Sequence, residues 1–132
     1  MKKTGILNRD LSALVAAMGH TDRLLISDAG FPIPKGIACI DLSLRPTVPT
    51  VLEIAELLAI ELEVEQFYFA DEVLKIRPNR AAEVNEFFPK AKGITVAHVE
   101  FKKLAAEARG IIRTGDFTSY ANVLLVSGVA YS

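Results

Sequence analysis

Cysteine is almost absent. Cys39 stands alone in 132 residues, so no internal disulfide can form. That fits a reducing compartment, and a cytosolic location is expected. One thiol cannot make a zinc site, and His20 and His98 do not stand at metal-ligand spacing, so no metal is expected. No Gly-x-Gly-x-x-Gly or Walker-type loop occurs, which denies nucleotide phosphates their usual cradle. No serine sits in a Gly-x-Ser-x-Gly elbow. The net charge of -1 gives no basic surface for nucleic acid. No stretch approaches the ~18 uninterrupted apolar residues of a membrane span, and no membrane partner is expected. Lys2 and Lys3 precede an apolar run from Leu11 to Gly19, loosely like a signal peptide. Asn8, Arg9 and Asp10 interrupt it and the run is short, so it is read as a helix of the domain. Repeats, low-complexity segments and linkers are missing as well.

Apolar residues are plentiful, at 51% with a mean hydropathy of +0.30. The length fits one domain over residues 1–132. A domain this small has much surface for its core, so part of the apolar area is expected to face another subunit. Asn8 is placed to cap a helix carrying Leu11, Leu14, Val15 and Met18 on one face, with Gly19 in the left-handed position past its end. Leu24, Leu25 and Ile26 form a short continuous apolar run, the pattern of a strand buried on both faces. A second strand is predicted from Ile37 to Ile40, with Cys39 as a buried small hydrophobe. A helix follows from about Thr50 to Leu62, its apolar stripe wide enough to imply burial on more than one side. Val64 to Ala70 reads as a strand, and Asp71 and Asn79 as caps of two short helices. Ile94 to Val99 reads as a strand ending near His98, and Glu100 to Arg109 as a helix. Strands are also expected at Ile111, at Val123 to Val126 and at Gly128 to Tyr131. The alternation predicts a single three-layer α/β/α domain. Its sheet should be mixed and largely parallel, with about six strands, because the last segments leave no room for a crossover helix.

In such sheets ligands bind beyond the carboxyl ends of the strands. Asp28, His98 and the polar loop from Arg113 to Asn122 fall at such ends. His20 precedes its strand and so begins at the opposite edge; a strand of about six residues spans roughly 20 Å. Each candidate has a plain alternative. His20 can be a polar residue past a helix end, and His98 a strand-end residue. Asp28 can be an Asx-turn residue before Ala29-Gly30. Tyr120 and Asn122 share a side if the segment is extended, or simply tie down their own loop. Arg113 and Asp116 can pair across the turn. The functional reading is acid–base chemistry, since imidazole titrates near neutrality.

The chain resembles the D-ribose pyranase family, relatives of the L-fucose mutarotases, over essentially its whole length. The likeness rests on Gly5-Ile6-Leu7-Asn8, Met18-Gly19-His20-Thr21-Asp22, Asp28-Ala29-Gly30-Phe31-Pro32-Ile33-Pro34 and Asp41-Leu42-Ser43-Leu44. It continues in Glu100-Phe101-Lys102, Ile112-Arg113-Thr114-Gly115-Asp116-Phe117-Thr118 and Tyr120-Ala121-Asn122. The resemblance implies a cofactor-free enzyme that interconverts pyranose and furanose forms of D-ribose, upstream of ribokinase. It implies His20 as proton donor, and Asp28, His98, Tyr120, Ala121 and Asn122 as sugar contacts. It also implies a cytoplasmic homo-oligomer, a decameric ring. The rival readings are an L-fucose mutarotase and a non-catalytic sugar-binding or regulatory module.

Overall fold

The computed structural model describes all of residues 1–132. In chain order the elements are α1 (Arg9–Ala17), β1 (Arg23–Ser27), β2 (Cys39–Asp41), α2 (Val51–Ala59) and β3 (Val64–Ala70). A 3-10 helix (Asp71–Lys75), α3 (Arg80–Asn85), β4 (Lys92–Val96), α4 (His98–Ala105), β5 (Gly110–Arg113) and β6 (Val123–Ser127) follow. The sheet has six strands in the order β2-β5-β1-β6-β3-β4. β6 is antiparallel to both of its neighbours, β1 and β3, whereas the other pairings are parallel. The mixed, largely parallel sheet is as expected, and the antiparallel strand lies inside it, not at an edge.

Alternation along each strand feeds two cores. Leu24, Ile26, Ile112, Val123 and Leu125 face the larger one, with Leu11 of α1, four buried residues of α2 and Val84 of α3. Leu25, Ile111 and Leu124 face the smaller one, with Phe101 and Ala105 of α4 and Phe31. The run Leu24-Leu25-Ile26 is continuous because both faces are covered. α1 begins where Asn8 Oδ1 accepts the Leu11 N–H at 2.8 Å. α2 begins at Thr50 with a reciprocal capping box to Glu53.

Several local expectations are corrected. Gly19 does not take positive φ; the left-handed residue is Thr21, at φ 71°. The Gly19 N–H is satisfied by Asp22 Oδ2 instead, at 2.8 Å, so α1 ends in an aspartate-closed turn. Cys39 is exposed, because β2 is a three-residue edge strand. Neither Asp71 nor Asn79 makes a side-chain cap: the 3-10 helix is preceded by Ala70, and Asn79 precedes α3 without such a bond. β4 stops at Val96 and His98 opens α4, because the Glu72 carboxylate accepts the His98 N–H at 3.0 and 3.2 Å. Residues 128–132 form no strand: the ladder with β3 runs out at Val64–Ser127, past a bulge. On α2, Val51, Ile54, Ala55 and Leu58 are buried, Leu52 and Leu57 are half-buried, and Ile60 just beyond is 69% exposed.

Gly115 marks where the 45–48 turn crosses the end of β5. A Cβ there would stand within hard-contact range of backbone Arg45 O and Val48 O. Gly115→Ala is expected to lower unfolding free energy by about 1–3 kcal/mol, the usual cost of overpacking against groups that cannot yield. Denaturant unfolding, with the slope unchanged, checks this.

Candidate active site

The carboxyl ends of the parallel strands and the start of antiparallel β6 share one edge of the sheet. There an open cleft of about 720 Å³ runs between the loop after β1, the start of α4 and the loop joining β5 to β6. Asp28, His98, Tyr120 and Asn122 line it together, with Lys102, Arg113, Asp116 and Phe117 beside them.

Asn122 is 1% exposed, and its Oδ1 accepts the Asp28 N–H at 2.7 Å. Asp28 Oδ1 accepts the Gly30 N–H at 3.1 Å. Burial raises the Asp28 carboxyl pKa above its ordinary value, and the Asp116 charge adds to this; the N–H groups of Gly30 and Phe31 and the Asn122 side chain pull the other way. The Asx-turn reading and the cleft position therefore both hold for Asp28. The His98 ring lies parallel to Phe101 (centroids 6.4 Å, 10°) and edge-on to Phe31 and to Tyr120, the latter at 4.9 Å. Its Nδ1 is buried with no hydrogen-bond partner. Tyr120 takes the left-handed conformation, φ 60°, uncommon for a bulky side chain.

Arg113 and Asp116 do not pair with each other. Arg113 donates to Ala29 O from Nε and Nη2 (3.2 and 2.9 Å) and from Nη1 to Asp41 Oδ2 and Ser43 Oγ, both 2.9 Å. The Ser43 hydroxyl and N–H, and then Arg113, hold the Asp41 carboxyl below its ordinary range. Asp116 turns inward: Oδ2 accepts the Val51 N–H at the start of α2 (2.9 Å) and Oδ1 the Thr118 N–H (2.8 Å). Sequence reasoning missed Asp116 as an anchor, although Asp two residues before Thr is an Asx-turn spacing. It also missed Glu72 and Arg80, for which no local signal exists.

Two expected site residues lie elsewhere. The Ala121 side chain is in the larger core, its N–H donates to Thr118 O and its carbonyl accepts from Arg80. His20 does not line the cleft. It lies before β1, its Nε2 3.0 Å from Glu65 Oε2, and the five residues of β1 put roughly 16 Å between the two edges. No group of three or more His, Cys, Asp or Glu side chains is arranged to hold a metal ion, and no helix is long and apolar enough to cross a membrane.

Residues 1–130 match the family model described as the RbsD / FucU transport protein family. The chain belongs to that family. Among its relatives in the RbsD / FucU family, a D-ribose pyranase of Pseudothermotoga lettingae is 46% identical over 99% of this chain and 94% of its own length. One of Bacillus subtilis is 42% identical over 99% of this chain and all of its own. The structure of Bacillus subtilis RbsD complexed with D-ribose superposes with a TM-score of 0.92, at 42% identity, over 99% and 100% of the two chains. The fucose mutarotase of Streptococcus pneumoniae, in complex with L-fucose, shares the fold at a TM-score of 0.75 but only 19% identity, over 95% of each chain.

The raised Asp28 pKa has a consequence for stability. The folded state holds this proton more tightly than the unfolded chain, so ionising Asp28 costs stability as pH rises through its folded pKa, and the cost is gone below its ordinary value of 3.8. Asp28→Asn, which keeps an acceptor for Gly30, is expected to melt higher than wild type at pH 7. The gain should shrink to nothing as pH falls toward the ordinary carboxylate range. Melting curves of both proteins across pH check the sign.

Proposed function

We propose that this cleft is where the chain interconverts the pyranose and furanose forms of D-ribose. The observation that carries the reading is the meeting of Asp28, His98, Tyr120 and Asn122 at the carboxyl edge. It sits in a chain 42% identical to a relative whose structure holds D-ribose. The fucose-binding relative, at 19% identity, supports a fold and no more.

The chemistry needs only proton transfers. In the pyranose a base removes the proton of the anomeric hydroxyl as an acid protonates the ring oxygen O5, and the C1–O5 bond breaks. The open aldehyde then turns, O4 attacks C1, and the protons move the opposite way to give the furanose. No electrons are exchanged. A sugar dense in hydroxyls needs mixed donors and acceptors: the Asp28 carboxylate, the Asn122 amide, the Tyr120 phenol and the His98 imidazole supply them. His20 is the proton donor in this reading, an imidazole suited to give and take protons at neutral pH.

His20 sits at the far edge of its own sheet, so a second copy of the chain must bring its His20 to the cleft. The half-buried Leu52 and Leu57 on α2, the exposed Ile60 just past it, the exposed Val99 on α4 and Phe117 at the cleft are apolar surface of the kind such contacts cover. A closed ring of copies, a decamer, completes the site.

Saturation-transfer NMR with purified protein is expected to show exchange between ribopyranose and ribofuranose. It should persist in EDTA; exchange that EDTA abolished and zinc restored would overturn the cofactor-free reading. His20→Ala should slow exchange about 10²–10⁴-fold while still binding ribose. Asn122→Ala should chiefly weaken binding. Mixed, dissociated and reassembled, these two variants should regain part of the activity. Hybrids confirmed by mass spectrometry but still inactive would put the whole site in one chain.

A further inference from the structure

Arg80 is 3% exposed. Its Nη2 donates to Ala121 O at 2.8 Å, its Nη1 lies 3.8 Å from Glu83 Oε1, and its Nε is buried with no partner. Burial works against the guanidinium's charge, whereas the charges of Glu83 and Asp116 favour it. A cation desolvated for one good hydrogen bond is a poor source of stability, since an apolar side chain of similar volume would serve the core as well or better. The structure offers another use for it. The carbonyl it holds belongs to the residue between Tyr120 and Asn122, both of which line the cleft.

That turn is not held by regular structure. Tyr120 is left-handed, a conformation that persists in a bulky residue only where the surroundings impose it. From within the loop, the Ala121 N–H donates to Thr118 O at 3.2 Å. From outside, Arg80 reaches over from α3, some forty positions away in the chain, and fixes the next carbonyl. Held so, the Tyr120 ring meets His98, and Asn122 Oδ1 meets the Asp28 N–H.

We propose that Arg80 is a positioning residue for sugar binding: through Ala121 O it sets the Tyr120–Asn122 turn, so that the polar wall of the cleft is formed before the sugar arrives. The proposal rests on the reading of the cleft as the ribose site. Arg80 touches neither the sugar nor the reacting atoms. Its effect should therefore fall on KM, with little on the chemical step.

The test compares Arg80→Met and Arg80→Lys with wild type and with Asn122→Ala, using ribose exchange rates over a range of ribose concentrations and melting curves. Wild-type exchange, together with a raised KM in Asn122→Ala, establishes the cleft reading on its own. Given that, folded Arg80→Met should show KM raised about tenfold, the worth of one or two lost hydrogen bonds, with kcat within about threefold. Arg80→Lys, which keeps the charge and a donor, should recover part of that loss. A folded methionine variant with wild-type KM would overturn the proposal alone, leaving the cleft reading intact. So would a lysine variant no better than a folded methionine variant, which would reduce the effect to packing. If Arg80→Met does not fold, a raised KM in folded Arg80→Lys supports positioning. A wild-type KM there makes Arg80 a stability residue and overturns the proposal.

Discussion

Asp116 is 6% exposed at the point where the loop after β5 passes under the start of α2. One carboxylate oxygen takes an N–H that α2 cannot satisfy within itself, and the other closes the turn to Thr118. Its N–H is taken by Thr114 Oγ1, and its carbonyl accepts the Ala29 N–H. A negative charge at a helix N-terminus is favoured by both the dipole and the free N–H groups there. One residue thus ties three segments together: its side chain joins the cleft loop to the helix over the larger core, and its main-chain carbonyl joins that loop to the loop after β1. Without that side chain the cleft loop loses its tie to α2 and the turn to Thr118.

The charges near the cleft are largely committed inward. Arg113 spends its donors on Ala29 O, Asp41 and Ser43, and Arg80 on Ala121 O. What faces the opening is a half-buried carboxylate, an amide, a phenol and an imidazole in an aromatic nest, with the exposed Lys102 as a single cation beside them. Such a surface offers directed hydrogen bonds without a cluster of free cations. It suits an uncharged polyhydroxyl ligand better than a phosphorylated one.

Sheet order separates two sets of residues. Because β1 runs between them, His20 and Asp28 cannot converge on one monosaccharide within a chain whose sheet is intact. At the amino edge, Glu65 beside His20 gives the imidazole a carboxylate partner. With the proposed proton donor at one end and the proposed sugar cleft at the other, self-association is part of the proposed chemistry, not an accessory to it.

The elements with strong local signals could be read from the residues. Leu24-Leu25-Ile26, the helix starting near Thr50 and Asn8 before Leu11 act over a few positions, and the structure carries each of them. The absence of cofactor loops and the placing of Asp28 and the 113–122 loop at the carboxyl edge also follow from sequence, because βα order dictates which ends of strands meet. The family resemblance implied residue roles that pattern alone left open. Other features depended on contacts between distant segments. Glu72 starts α4 at His98, 26 positions on. Asp116 faces α2 and leaves Arg113 to Asp41, and a short edge strand exposes Cys39. Ala121 sits in the core with its carbonyl on Arg80. A buried carboxylate, guanidinium or carbonyl must find a partner wherever the fold brings one within reach, and that partner's place in the chain carries no local mark.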